Sequence, residues 1–303
     1  MRVLIAIDSS AASERVLDEA VARPWPAGTQ FCVAHAVDIR QFSEMPALIG
    51  DAKREGDAIV KAGAAKLARV GHLVESNLLW GPPRHAVSSY AEEWGADFIL
   101  AGSHGHGTIG RFLLGSVAQG ILRRAQCSVE IVRAKTGGNP PFAHGMKILL
   151  ATDGSEFSLA AARSVANRPW PEGSIFRILG VEELVAIDAP MGASPLASIY
   201  PASLLEELVT NARARATEAV HAAEQVLEAA KLKGIEPHRC PTGDPRNIIL
   251  DTAQTWGADL IVLGSHGRSG LDRVLLGSVS EAVAIHAHCS VDVIRTDFHA
   301  AKR

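Results

Sequence analysis

Short apolar runs alternate with longer amphipathic stretches along this chain, and the whole pattern occurs twice. The apolar runs are rich in Val, Ile and Leu and lack polar alternation, as expected for strands buried on both faces of a parallel sheet. In the first half they predict strands at 3–7, 30–36, 73–79, 97–101 and 128–132. In the second half they predict strands at 147–152, 174–181, 235–240, 259–263 and 290–294. Each half is therefore predicted to be an α/β domain with a five-stranded parallel sheet.

The amphipathic stretches predict helices that cover both faces of each sheet. In the first half they lie at 10–22, 51–70, 83–94 and 113–125, and the longest one of the second half lies at about 204–233. Ser10 and Ser155 stand at helix entries, where a hydroxyl can accept a hydrogen bond from a free amide. The segment 187–201 holds much of an insertion in the second half. We interpret it as a loop that leads into the long helix, with a lid over a neighbouring ligand site as the alternative.

The two halves are copies of each other. Residues 81–133 align without a gap onto 243–295, at a constant offset of 162 residues. An Arg-Pro-Trp-Pro tetrapeptide at 23–26 recurs at 168–171. A period of domain size indicates duplicated domains and not a solenoid of short repeats. We predict a first domain at 1–135, a linker rich in Gly and Pro at 136–145, a second domain at 146–296 and a tail at 297–303.

Composition and charge narrow the class of protein. With 303 residues, 47% of them hydrophobic, the chain can bury two cores of ordinary domain size. A net charge of -3 gives no general attraction to nucleic acid or to an anionic membrane surface. The apolar amino-terminal run is interrupted at Asp8, and no run approaches the roughly 18 apolar residues of a membrane helix. We expect a soluble, cytoplasmic protein that binds neither nucleic acid nor membranes.

No metal or disulfide framework is apparent in the sequence. The 4 cysteines include no Cys-x2-Cys pair. A cluster at His286, His288 and Cys289 resembles a metal site, but the first half has Arg124, Gln126 and Cys127 in its place. We therefore assign no metal-ligating residues.

Each half carries a glycine motif of the form G-x2-G-x9-G-S between its fourth strand and the following helix. The motif residues are Gly102, Gly105, Gly115 and Ser116 in the first half, and Gly264, Gly267, Gly277 and Ser278 in the second. Glycines let the main chain approach an anion closely, and a helix N-terminus supplies free N–H groups and a favourable dipole. A tight βα turn would explain one isolated motif, but two copies with identical spacing favour a phosphate site.

Other residues near this motif extend or limit the interpretation. Asp8 and Asp153 end the first strand of each half, beside the crevice where doubly wound sheets bind ligands. Forming a turn or capping a helix is an equally good role for them. A G-x-G-x-x-G match at 105–110 follows the fourth strand and not the first, so it is accidental. Because no G-x4-G-K-[ST] loop is present, a fast P-loop ATPase is excluded.

The repeated motif, the Gly-Ser-His-Gly wording of its first part and the strand-end aspartates resemble the ATP-binding branch of the universal stress protein family. The resemblance spans essentially the whole chain, as a tandem. It implies in each half a Rossmann-like (adenine nucleotide alpha hydrolase-like) domain of strand order 3-2-1-4-5, with ATP held between the first and fourth strands, accompanied by Mg²⁺ or Mn²⁺. The residues it implies for the first site are Asp8, Ala36, Gly102, Gly105, Gly115, Ser116 and Val117. Those for the second site are Asp153, Val181, Gly264, Gly267, Gly277, Ser278, Val279 and Ser280.

The two halves do not match the family pattern equally well. Where the second half has Val181 and Ser280, the first half has Ala36 and Ala118. The missing methyl groups and hydroxyl would cost about 1 to 2 kcal/mol in contacts, or roughly tenfold in affinity. We expect the second site to bind ATP more tightly.

The resemblance implies a regulatory or binding role in stress response. No catalytic residue is assigned, because the repeated acids are expected at the adenosine and not beside an attacking water, so hydrolysis should at most be slow. Two alternatives stay open: a slow ATPase or phosphotransferase, and a nucleotide-free scaffold for protein interactions. The fifth strands of this family commonly form a dimer edge. We therefore expect 127–133 and 289–295 to pair as an internal pseudo-dimer, and whole chains to form a homodimer.

Overall fold

The computed structural model describes residues 1–42, 45–105, 114–133, 145–183, 201–237, 239–267 and 276–295. Several predicted segments lie outside these ranges: the linker up to residue 144, the insertion segment up to residue 200, the carboxyl-terminal tail and the G-x-G-x-x-G match beyond residue 105. Within the described ranges, no helix combines the length and the apolarity needed to cross a membrane.

Strands and helices alternate through both halves. The first half contains β1 (Arg2–Ala6), α1 (Ala11–Ala22), β2 (Gln30–Val37), α2 (Ile49–Ala68), β3 (Leu73–Trp80), α3 (Pro83–Trp94), β4 (Phe98–Gly102), α4 (Ser116–Arg124) and β5 (Ser128–Val132). Two short 3-10 helices, Ile39–Phe42 and Pro46–Leu48, connect β2 to α2. The second half contains β6 (Lys147–Ala151), α5 (Glu156–Ala166), β7 (Ile175–Leu179), α6 (Ala202–Ala229), α7 (Pro245–Trp256), β8 (Leu260–Gly264), α8 (Ser278–His286) and β9 (Ser290–Ile294).

All of these strands join one sheet, in the order β3-β2-β1-β4-β5-β9-β8-β6-β7. The first half therefore has the predicted order 3-2-1-4-5. Neighbouring strands run parallel except for β5 and β9, which pair antiparallel and connect the two halves. One face packs against α1, α2, α5 and α6, and the other against α3, α4, α7 and α8. Because both hydrophobic clusters contain residues of both halves, the core continues across the junction.

The strand predicted at 235–240 is not a continuous strand. Isolated parallel bridges join Phe176 to Ile235 and Leu179 to Arg239. The bridge positions are three positions apart on β7 but four positions apart on the partner segment, so the register changes by one residue between them. Pro237 lies between the bridges and has no N–H group for a ladder. The sequence prediction of five regular strands in the second half was therefore wrong at this edge.

The predicted caps are present at the starts of α1 and α5, whereas α4 begins later than predicted. The hydroxyls of Ser10 and Ser155 accept hydrogen bonds from the amides of Ser13 and Ser158, as predicted for the entries of α1 and α5. The helix predicted at 113–125 begins later, at Ser116. Its N-cap is Gly115, whose extended backbone (φ -62°, ψ 150°) places the glycine outside the helix.

A buried ionic cluster lies where the two halves meet. The register of β5 on β9 sets Glu130 opposite Asp292, and both residues are fully buried. Arg23 binds the carboxylate of Glu130 through two hydrogen bonds of 3.1 and 2.6 Å. Arg168 binds Asp292 at 2.6 Å. Each of these two carboxylates therefore has one arginine partner, and breaking either pair would leave a buried charge without that partner.

This cluster gives the repeated Arg-Pro-Trp-Pro tetrapeptide a structural role. The guanidinium of Arg23 lies 4.5 Å from the ring centroid of Trp25, and that of Arg168 lies 4.9 Å from the ring centroid of Trp170. Each tryptophan thus packs against the arginine two residues before it, while the arginine reaches a buried carboxylate of the junction. The tetrapeptide serves the junction and not the ligand sites.

The cluster contains more carboxylates than arginines. The buried Glu19 joins Glu130 and Asp292, and burial raises the pKa of all three above their ordinary values. The pKa of Asp292 rises from 3.8 to about 7. The folded protein therefore holds this proton more tightly than the unfolded chain does. The contribution of Asp292 to stability is greatest below pH 3.8 and is lost as the pH rises to about 7.

Each half also caps a helix of the other. The Arg133 guanidinium, just after β5, donates hydrogen bonds to the carbonyls of Ala284 (2.7 Å) and Ile285 (3.0 Å) at the end of α8. The Arg295 guanidinium, just after β9, donates to the carbonyl of Leu122 (3.0 Å) in the last turn of α4. Cations at helix C-termini satisfy free carbonyls and oppose the negative end of the dipole. The two halves are thus joined reciprocally.

We predict that Arg168→Met lowers the free energy of unfolding by about 3 to 5 kcal/mol at pH 8, because Asp292 stays buried without its ion pair. The loss should shrink at pH 5, where Asp292 is protonated. Denaturant titrations at both pH values measure it. The control is Arg54→Met, which removes the exposed ion pair with Asp51 and should change stability by no more than about 0.5 kcal/mol. Equal, small losses in both variants would contradict the structural role of the cluster.

Candidate functional site

Two recesses open at the carboxyl edge of the sheet, one in each half. The first lies between the ends of β1 and β4 and has a volume of about 270 Å³. The second lies between the ends of β6 and β8 and has a volume of about 530 Å³. Both stand where the strand order reverses, which is the usual ligand position of doubly wound sheets.

The structure brings all of the sequence-predicted site residues together in these recesses. Asp8, Ala36, Gly102, Gly105, Gly115, Ser116 and Val117 line the first. Asp153, Val181, Gly264, Gly267, Gly277, Ser278, Val279 and Ser280 line the second. The contacts of each residue show whether it shapes the recess or faces the space inside it.

The first glycine of each motif lets a helix approach the sheet. A Cβ atom on Gly102 would lie 3.0 Å from the Cβ atom of Ala12 in α1. A Cβ atom on Gly264 would lie 2.6 to 2.8 Å from the backbone and Cβ of Phe157 in α5. A side chain at either position would push the helix away. These glycines therefore serve helix packing at the floor of the recess.

The second glycine of each motif faces the aspartate at the end of the first strand. A Cβ atom on Gly105 would lie 2.8 Å from Oδ2 of Asp8, and one on Gly267 would lie 2.9 Å from Oδ2 of Asp153. Both contacts are closer than real Cβ atoms allow. Each glycine thus leaves room for the carboxylate and lets the main chain of the motif approach it closely.

The aspartates also perform the turn-forming role that the sequence left open. Oδ1 of Asp8 accepts hydrogen bonds from the Ser10 amide (2.9 Å) and the Ser13 hydroxyl (2.7 Å). Oδ1 of Asp153 accepts one from the Ser155 amide (3.0 Å). The two roles coincide, because the turn that each carboxylate stabilises also fixes it at the wall of the recess.

The third glycine of each motif places the N-terminus of a helix at the recess. The Gly115 amide donates to the Ser103 carbonyl, and the Gly277 amide to the Ser265 carbonyl, each at 2.8 Å. These bonds fold the chain back onto the strand end. Among the described residues no side chain caps α4 or α8, so their first-turn amides stay available at the edge of the recess. A helix N-terminus of this kind suits an anionic ligand.

A histidine in each motif has one ring nitrogen without a partner. Nδ1 of His104 lies 2.9 Å from the Ser103 hydroxyl, and Nδ1 of His266 lies 3.0 Å from the Ser265 hydroxyl. The Nε2 atoms of both rings are buried and make no hydrogen bond with the residues that the structure describes. Burial and the nearby Arg295 lower the pKa of His266, which favours its neutral form. If the serine is the donor, Nε2 carries the proton and is free to donate to a ligand oxygen.

Ser280 differs from its expected role. Its hydroxyl donates a 2.7 Å hydrogen bond to the carbonyl of Gly264, and the side chain is buried. The first half has Ala118 at this position, which is buried in the same way. The hydroxyl therefore stabilises the motif of the second half internally, and its hydrogen is not available to a ligand.

Sequence reasoning missed two charged residues of the second recess, Arg215 on α6 and Glu183 after β7. The buried positions Gly56, Val60, Gly63 and Leu67 of α2 have the same spacing as Ala216, Val220, Ala223 and Leu227 of α6. This match makes Glu55 the counterpart of Arg215. The two copies thus carry opposite charges at the same helix position, which an alignment of the buried helix stripes reveals.

An apolar wall completes each recess and was also missed. It consists of Pro83 and Val87 in the first half and of Pro245 and Ile249 in the second. These pairs are related by the same offset of 162 residues as the glycine motifs. This constant offset is the sequence signal that could have identified the apolar wall. The wall offers the flat apolar contact that a base or another ring would need.

Comparison with known proteins agrees with this architecture. The sequence model of the Universal stress protein family matches residues 1–133 and 146–295. A universal stress protein of Mycobacterium tuberculosis is 31% identical over 256 residues, which cover 80% of this chain and 77% of that protein. One from Methanocaldococcus jannaschii is 34% identical over 151 residues, which cover 49% of this chain and 81% of that protein.

Solved structures share the fold over the full length. A universal stress protein from Archaeoglobus fulgidus has a TM-score of 0.65 at 20% identity, covering 98% of this chain and 97% of that one. A functionally unknown protein from Pseudomonas aeruginosa has a TM-score of 0.61 at 18% identity, covering 98% and 92%. At these identities the likeness concerns the fold alone. With both halves matched by the family model, and with a relative aligned over most of its length, the chain belongs to the universal stress protein family.

Proposed function

We propose that this protein binds one ATP in each half and has a regulatory or binding role in stress response, with at most slow hydrolysis. The observation that carries the proposal is the uncapped helix N-terminus in each recess, opposite an aspartate and beside an unpartnered histidine nitrogen. Free amides, a positive dipole end and an N–H donor form a setting suited to phosphate.

The remaining surfaces of the recess suit a nucleoside. The apolar wall at Pro83 and Val87, or at Pro245 and Ile249, would pack against a base. The glycines keep enough space for the main chain to approach the ligand closely. A Mg²⁺ or Mn²⁺ ion would bind together with ATP, on the phosphate oxygens. Such an ion would neutralise part of the phosphate charge.

Binding is favoured over rapid hydrolysis. A general base must reach an attacking water, whereas Oδ1 of Asp8 and of Asp153 already accept structural hydrogen bonds in the turn. A cytoplasmic location, the boundaries at 135 and 146, and a homodimer of whole chains belong to the same proposal and rest on the resemblance to the family.

The proposal predicts that freshly purified, denatured protein releases adenine nucleotide, and that calorimetry finds two ATP sites per chain. Gly105→Ala and Gly267→Ala should each remove one site, because the new methyl group would collide with the carboxylate opposite. Gly50→Ala is the control, since its Cβ would be no closer than 3.8 Å to Arg54. If neither nucleotide release nor heat of binding is found for a folded wild type, the proposal fails.

The charge difference between the recesses generates a second prediction. Arg215→Ala should weaken ATP binding at the second site about three- to fivefold, because an exposed cation contributes up to about 1 kcal/mol towards an anionic ligand. The effect should decrease with added salt and be absent for uncharged adenosine. Calorimetry in the Gly105→Ala background isolates the second site. Arg163→Ala, an exposed arginine of α5 outside the recess, is the control, and an equal effect in both variants would contradict the role of Arg215.

A further inference from the structure

A second kind of recess occurs in the second half, beside the last residue of α7. It is open to solvent and has a volume of about 560 Å³. Its walls include Arg177, Leu179, Arg239, Thr252, Thr255 and Trp256. Of these residues, Leu179 alone is shared with the glycine-lined recess of the same half. The proposed ATP site therefore does not account for it.

The first half has no comparable set of residues at the equivalent position. Strand pairing defines the equivalence. Cys32 is the counterpart of Arg177, because they pair with the equivalent residues Leu4 and Leu149. Asn77 is the counterpart of Arg239, because they pair with the equivalent residues Ala34 and Leu179. The offset of 162 residues makes Tyr90 the counterpart of Thr252. Three neighbouring positions have thus changed together between the copies.

In the first half these three positions form a filled, uncharged contact. The Tyr90 hydroxyl lies 3.7 Å from the sulfur of Cys32. Asn77 hydrogen-bonds the same hydroxyl, and burial raises the pKa of Tyr90 to about 12. The phenol ring therefore occupies the space between β2 and α3. In the second half, replacement of this tyrosine by Thr252 removes the ring and opens the space.

The other two changes introduce positive charge into the opened space. Arg177 is held in place, because it binds Oε2 of Glu236 at 2.5 and 2.9 Å and lies 4.4 Å from the ring centroid of Trp256. Arg239 is different. Its side chain is exposed and has no hydrogen-bond or ion-pair partner in the part of the chain that the structure describes. With Glu236 already paired to Arg177, the charge of Arg239 is uncompensated.

The recess also has a hydroxyl donor and an ordered cationic side. Thr252 lies on the α7 wall, whereas the neighbouring Thr255 hydroxyl donates a 2.8 Å hydrogen bond to the Asp251 carbonyl. The ammonium of Lys147 lies 5.7 Å from the ring centroid of Trp256 and donates a 3.2 Å hydrogen bond to its carbonyl. Guanidinium groups next to hydroxyls favour oxyanions, because the planar N–H fork matches carboxylate and phosphate oxygens.

We propose that this recess is an oxyanion site, which takes a small molecule through a phosphate or carboxylate group. Arg239 supplies the main charge, and Arg177 and the Thr252 hydroxyl supply further donors. The site is a product of divergence between the copies, since the first half has Cys32 and Asn77 in place of Arg177 and Arg239 and fills the space with the Tyr90 ring. It is independent of the proposed ATP sites.

Inorganic phosphate and acetate are titrated separately into the full chain. A titration with sodium chloride at equal ionic strength is the control. The readout is the NMR signal of the Trp256 indole N–H, assigned with Trp256→Phe. Saturable shifts with phosphate, acetate or both are expected, and the arms identify the preferred oxyanion. The shifts should persist in Gly267→Ala, which separates this site from the proposed ATP site, so either proposal can fail alone.

Two variants restore the residues of the first half. Arg239→Asn removes the uncompensated charge at an exposed position and should weaken binding about tenfold or more. Thr252→Tyr should refill the recess and abolish the shift, with Arg163→Asn as the control for removal of a distant exposed arginine. An equal shift with chloride, or unchanged binding in Arg239→Asn, would overturn the proposal.

Discussion

The antiparallel pairing of β5 with β9 is the constraint on which the rest of this structure depends. It turns two sheets into one and places Glu130 and Asp292 opposite each other without access to water. A pair of buried carboxylates is tolerable only with counter-charges, and Arg23 and Arg168 provide them from the ends of α1 and α5. The conserved arrangement in both copies follows from the approximate two-fold symmetry of the junction.

The same junction reaches the ligand sites through α4 and α8. Each helix begins directly after the third glycine of a motif and ends under an arginine from the opposite half, Arg295 for α4 and Arg133 for α8. A ligand anion at the N-terminus and a guanidinium at the C-terminus would both interact favourably with the helix dipole. The helices that shape the recesses are thus anchored by the contact between the halves.

Strand positions, the glycine motifs and the strand-end aspartates could be predicted because they repeat at fixed offsets and obey local rules of turns and strands. What the sequence could not show depends on tertiary contacts. The Ser280 hydroxyl donates to the Gly264 carbonyl, and Arg215 lines the recess from a helix whose counterpart carries Glu55. The regular strand expected at 235–240 fails because Pro237 and one extra residue interrupt the ladder. The role of the Arg-Pro-Trp-Pro tetrapeptide required knowledge of the partner strand.

Duplication preserved the glycine-lined recesses while the residues around them changed. The central claim is that both recesses hold ATP, and native mass spectrometry of the full chain with ATP and Mg²⁺ tests it most directly. The account predicts a folded protein that gains the mass of two nucleotides per chain, with the second recess filled at the lower ATP concentration. A folded protein that gains no more mass with ATP than with inorganic phosphate would contradict it.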